Sequence, residues 1–243
     1  MPTLATTLSV GFSLFFTAVS LAATPATQPV APVRIVLVGD STVTEKAGWG
    51  TGFKFYAGDG VTVVNEASGG RSSKSFRDEG KWDKAVAQKG DYMLIQFGHN
   101  DQPGKGPERE TVANTTFKDN MVRYAKEAQA AGFKPILVTS LVRRKFKDGH
   151  IHSDLVDYVN GTKAAAKEAG VPLIDLHASS LAFFDKLGEA ECEKHNPRDS
   201  KDATKSDATH LEGTWQKDVA KLVIEELVKI EPGLNGRFDL AKK

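Results

Sequence analysis

The sequence predicts an α/β protein with one parallel sheet covered by helices on both faces. Five short apolar runs supply the strands, and amphipathic stripes lie between them. Most of the runs are continuously apolar and do not alternate, as expected for strands buried on both faces. Strands that alternate with helical patterns make a parallel sheet. A chain of 243 residues suits one ordinary domain, or at most two small ones. No internal linker divides residues 33–243, so a single domain is expected there.

The first strand is the run 33–38 (VRIVLV), which stops at Gly39. The second is 61–64, the third 92–97 (YMLIQF), the fourth 136–141 and the fifth 171–176. Phe117, Met121, Tyr124, Ala125 and Ala128 fall on one helical face, and Gly132 ends it. Leu155, Tyr158, Val159, Thr162 and Ala166 form another, closed by Gly170. Leu211, Trp215, Val219, Leu222, Val223, Leu227 and Ile230 make a long last stripe before Pro232 and Gly233.

Residues 1–23 carry no Asp, Glu, Lys or Arg, and 8–21 are mostly apolar (LSVGFSLFFTAVSL). Small residues follow at Ala22, Ala23 and Thr24. This pattern resembles a signal peptide. A membrane anchor is the alternative, but the run is short of the roughly 20 apolar residues that span a bilayer. Residues 24–32 (TPATQPVAP) read as a linker. Export implies a secreted or periplasmic protein with no stable membrane association. With Cys192 as its one cysteine, the chain cannot form an internal disulfide or a cysteine metal site. Lys+Arg at 32 against Asp+Glu at 31 argues against a dedicated nucleic-acid binder, which needs clustered basic charge. Nothing in the sequence speaks to oligomeric state.

In a doubly wound sheet, ligands bind outside the carboxyl ends of the strands. Gly39-Asp40-Ser41-Thr42 follows the first strand, and a Gly-rich stretch from Asn65 through Gly69-Gly70-Arg71 to Ser73 follows the second. Gly98-His99-Asn100-Asp101 follows the third, and Asp207-Ala208-Thr209-His210 precedes the last helix. A nucleophilic serine needs a base, a group that orients the base, and donors for the oxyanion. Ser41 is the candidate nucleophile, His210 the base and Asp207 its orienting carboxylate. The Gly70 N–H and the Asn100 side chain are the candidate oxyanion donors, with the Ser41 N–H beside them.

These four blocks, in this order, resemble the SGNH (GDSL-like) hydrolase superfamily. The stretches NEASGGRSSKSF, FGHNDQ, TSLVRRKF and DATHL are similar, more narrowly, to rhamnogalacturonan acetylesterases. The resemblance implies a flavodoxin-like three-layer α/β/α sandwich with a five-stranded parallel sheet. It implies a serine esterase that needs no metal or cofactor and removes O-acetyl groups from a pectic polysaccharide. The related fungal enzymes usually carry disulfides, which this chain cannot form. Two other readings stay open: the same machinery on another acyl ester (xylan acetate, a lysophospholipid, a thioester), and a carbohydrate-binding protein without catalysis.

Plainer roles compete for single residues. Ser41 could cap the first helix, and Asp207 the last. Asp40 is expected to bond loop N–H groups, and His99 to hold its loop as a buried histidine. His150 and His152 lack the partners that would complete a metal site, and His177 and His195 fit no pattern. Arg71, Arg143 and Arg144 are candidates for a galacturonate carboxylate, since the guanidinium fork matches a carboxylate. Trp49 and Trp82 could stack on sugars or fill the core. The polar stretch 189–206 reads as a surface loop, with Cys192 possible at the surface.

Overall fold

The computed structural model describes residues 1–3, 7, 31–199 and 202–242. Most of the leader expected at 1–23 and most of the linker at 24–32 lie outside the described residues. Ala31–Lys243 forms one compact unit.

The sheet runs β1 (Val33–Gly39), β2 (Val61–Asn65), β3 (Tyr92–Gln96), β4 (Lys134–Val138) and then, past a small hairpin, the short Leu173–Ile174. The hairpin strands are β5 (Phe146–Lys147) and β6 (His150–Ile151), so Leu173–Ile174 is β7. All five sheet strands are parallel, in the order β2-β1-β3-β4-β7. Because β1 lies between β2 and β3, the chain leaves its end in opposite directions on the two sides. A crevice opens at such a switch point.

Alternate side chains of each strand enter different cores. Ile35, Leu37, Leu94, Ile136 and Val138 pack on one face. There they meet α1 (Gly50–Tyr56), α6 (Leu176–Leu187), α7 (Glu189–His195) and α8 (Thr214–Ile230) through Phe53, Phe184, Cys192 and Val219. Val36, Val38, Met93, Ile95 and Leu137 pack on the other, against α2 (Ser75–Asp78), α3 (Lys81–Ala87), α4 (Lys118–Ala130) and α5 (Val156–Ala169). This is the expected three-layer sandwich, and it explains the unbroken apolar runs: in the central strands successive positions enter opposite cores.

The runs at 136–141 and 171–176 overshoot their strands. The first continues as buried irregular chain, with Leu141 fully covered. The second crosses from β7 into α6, whose N-cap Asp175 accepts from the Ala178 N–H. Leu211 is buried but precedes α8, which starts at Thr214 after Gly213. The stretch read as a surface loop opens instead as helix α7, and Cys192 is buried on its inner side, with its thiol pushed up to about 11 by that burial. Trp49 and Trp82 are both core. No described helix is long and apolar enough to cross a membrane.

Candidate active site

Ser41 stands at the carboxyl end of β1, in the crevice. Gly39 makes the approach possible: a Cβ there would meet Gln96 O at 2.6 Å and Val43 Cγ2 at 2.5 Å. Asp40 turns inward, away from the serine. Its Oδ1 accepts from the Thr42 N–H at 2.9 Å and the Thr42 hydroxyl at 2.7 Å, an Asx-type turn that shapes the loop. Gln96 braces the same loop from β3, donating to Thr42 Oγ1 at 2.6 Å and accepting from Trp49 Nε1 at 3.0 Å. Ser41 caps no helix. The chain turns through residues 41–49, and α1 begins at Gly50 with Trp49 as its N-cap.

His210 comes 169 residues later and reaches Ser41 Oγ with Nε2 at 2.8 Å. Its Nδ1 lies 2.5 Å from Asp207 Oδ2. The other Asp207 oxygen accepts from the Thr209 N–H at 2.8 Å and the His210 N–H at 3.1 Å. Asp207 therefore shapes its own loop; the α8 N-cap is Gly213. Burial pushes the Asp207 carboxyl up, but the hydrogen bonds from His210 and the two N–H groups, with the imidazole charge, outweigh it and hold it well below its usual range.

Three contacts bring these distant segments together. The Leu211 N–H donates to Ala47 O at 2.9 Å. The Gln216 amide at the start of α8 donates to the carbonyls of Glu45, Lys46 and Gly48. Arg144 holds the His210 loop from below, donating to Asp207 O at 3.1 Å and His210 O at 2.5 Å, and to Asn196 Oδ1 at 2.6 Å. Its guanidinium stacks on Phe184 and Trp215. Burial pushes it down to about 10, which leaves it charged at neutral pH. Arg144 is thus a loop anchor and is turned away from any substrate.

The oxyanion candidates sit across the crevice. Gly70 has φ +76°, and an added Cβ would meet nothing within 4 Å, so the glycine is required by backbone conformation and not by lack of room. A Cβ on Gly69 would lie 3.7 Å from Ser41 Cβ, which places this loop against the serine. Asn100 donates one amide hydrogen to Arg71 O at 3.1 Å and keeps the other free to face the cleft. Among the described residues, the Ser41 and Gly70 N–H groups donate to no protein acceptor.

Asp101, which the sequence reading passed over, locks the two oxyanion loops together. Its carboxyl is fully buried and accepts from the Ser73 N–H at 3.1 Å, the Ser73 hydroxyl at 2.5 Å and the Thr111 hydroxyl at 2.9 Å. Burial nevertheless pushes it up to about 7. Its position next to Asn100 was the only available signal.

These groups border a cavity of about 470 Å³ lined by Ser41, Asn100, His210, Arg143, Lys145 and Asp154, among others. Arg143 lines it but is tied to Gln102 Oε1 at 2.6 Å and Asp154 Oδ1 at 2.7 Å. Arg71 is paired with Glu79 and the Gly69 carbonyl. His150 is on the β5–β6 hairpin against Asp185, His195 faces Glu191, and buried His177 contacts Ser140 O. Among the described residues, no group of three or more His, Cys, Asp or Glu side chains could hold a metal.

Fold and site together define a serine esterase built on a three-layer sandwich, and the GDSL-like Lipase/Acylhydrolase family model matches residues 37–211: the chain belongs to that family. It is 37% identical to a rhamnogalacturonan acetylesterase of Bacillus subtilis, over 82% of this chain and 91% of that one. It is 35% identical to a probable rhamnogalacturonan acetylesterase of the same organism, over 81% and 93%. A crystal structure of another Bacillus subtilis protein superposes with a TM-score of 0.69 at 29% identity, covering 86% of this chain and 59% of that one.

Proposed function

We propose that this enzyme is an acetylesterase that removes O-acetyl groups from a pectic polysaccharide, with rhamnogalacturonan as the polymer. The observation that carries the reading is the continuous relay Ser41–His210–Asp207, which opens on a polar cleft, in a chain whose relatives bear that activity in their names. Ser41 attacks the acetyl carbonyl while His210 takes its proton. Asp207 holds the imidazole tautomer and stabilises its charged form. The oxyanion develops toward the Ser41 and Gly70 N–H groups and the free hydrogen of Asn100. Their donors are fixed before the reaction, so they cost no reorganisation. The sugar hydroxyl leaves with the proton from His210. Water, deprotonated by His210, then attacks the acetyl-Ser41 ester and releases acetate.

A polar, cationic cleft favours a short acyl group over a lipid chain. The apolar, uncharged stretch at 1–23 supports export to the periplasm or medium. The balanced charge of +1 supports a polysaccharide partner over nucleic acid.

The test is acetate release from acetylated rhamnogalacturonan, acetylated xylan and acetylated homogalacturonan, with Ser41→Ala as control. Release chiefly from rhamnogalacturonan, lost in the variant, is the expected result. Serine-dependent release chiefly from xylan would move the substrate, and full activity of Ser41→Ala would refute the mechanism.

A further inference from the structure

The cleft beside Ser41 carries more positive charge than hydrolysis of a neutral acetyl ester requires. Its walls hold Lys105, Arg143 and Lys145 against one carboxylate, Asp154. These cations are not equivalent. Arg143 is engaged by Gln102, Asp154 and the His99 carbonyl. Lys145 is paired with the second oxygen of Asp154 at 2.8 Å. Lys105 makes no hydrogen bond and no ion pair among the described residues.

Lys105 is also displayed by its backbone. Gly104 has φ +85° and Gly106 φ +99°, so the chain bends on both sides of it. The side chain is half-buried. Burial, together with the charges of Arg143, Arg109 and Lys145, holds its ammonium below the usual range. A partly desolvated cation among other cations is unfavourable, and an anion bound beside it relieves that cost.

We propose that Lys105 is a specificity residue that pairs with a carboxylate of the anionic polysaccharide bound in the cleft. The proposal rests on the reading of this cleft as a polysaccharide deacetylation site and deepens it. Asp154 holds Arg143 and Lys145 as the fixed wall of the subsite, and Lys105, on its flexible stem, supplies the free charge. A neutral polymer leaves that charge unpaired, so the cleft discriminates against it.

The experiment measures competitive inhibition of 4-nitrophenyl acetate hydrolysis by trigalacturonate and by neutral galactotriose. In the wild-type enzyme the charged trimer binds about tenfold tighter or better, and the preference shrinks as salt rises and screens the charges. Lys105→Gln reduces the preference about tenfold, and Lys105→Arg restores most of it. Lys221→Gln removes the same charge from α8, beside Tyr56, and leaves the preference in place. An unchanged preference in Lys105→Gln overturns the proposal, as does equal inhibition by the two trimers in the wild type, a result that needs no variant to fold. Acetate release from acetylated rhamnogalacturonan is run in parallel. No polymer release with a Lys105-dependent preference intact would sink the substrate reading and leave the subsite standing. Polymer release with no Lys105 dependence would do the reverse.

Discussion

Two aspartate–histidine pairs are placed around the end of β1. In Asp40–His99 the side chains are 0% and 3% exposed, and Oδ2 faces Nδ1 at 3.3 Å. The alignment makes no directed hydrogen bond, and neither ring nitrogen of His99 has another protein partner among the described residues. In Asp207–His210 the side chains are 16% and 33% exposed, the contact is 2.5 Å, and the far ring nitrogen reaches Ser41. The residue types are the same, but the environments differ. Burial pushes the Asp40 carboxyl up, while the facing His99 and the two hydrogen bonds from Thr42 bring it below its ordinary value. That pair is a piece of architecture. The half-exposed pair has a tautomer fixed on one side and an open face on the other, which is what a proton carrier needs.

The sharpest way to break this comparison is to remove each histidine. His210→Ala is expected to lower kcat by about 10⁴-fold or more while the protein stays folded. His99→Ala is expected to reverse the pattern. It leaves the buried Asp40 carboxylate without the ring packed against it, at a cost of about 1–3 kcal/mol in stability, with kcat changed much less. Urea unfolding and steady-state kinetics on both variants decide it. Equal loss of kcat with no loss of stability would show that His99 belongs to the chemistry.

The smallest effect concerns Asp101, the buried acid between the oxyanion loops. Its folded value of about 7 lies above the ordinary carboxyl value of 3.8. The folded state therefore holds its proton more tightly than the unfolded state. Its contribution is fully present below the unfolded value and is lost as pH rises from there through about 7. Asp101→Asn should flatten that part of the stability curve, read from melting temperatures between about pH 4 and pH 8. An identical slope in the variant would show that the carboxyl stays ionised throughout.

Much of the site was visible in the residues because it lies directly after strands. Gly39-Asp40-Ser41, Gly70 and Asn100 each follow an apolar run, so their place in the crevice came with the strand assignment. Asp101 and Lys105 were not visible. One buried acid and one lysine in a Gly-rich loop look like ordinary surface residues until their neighbours are known. Arg144 pointed the wrong way for a related reason. Its position after the fourth run suggested substrate, but the site lies above the His210 loop and the guanidinium beneath it. Helix α1, with Gly50 and Gly52 inside it, has little intrinsic helix propensity. It is held by packing on α8, where a Cβ on Gly52 would meet Gln216 O at 2.2 Å.

The sequence by itself determined the alternation of strand and helix, the two-sided burial of the sheet and the candidate residues for the relay. Apolar periodicity and residue type are local properties, and they can be read one segment at a time. The tertiary structure alone decided which histidine meets Ser41, which arginine supports the loop, and which lysine is left without a partner. Those outcomes depend on distances between segments separated by up to 169 residues, and on which charges are neutralised once the segments have met.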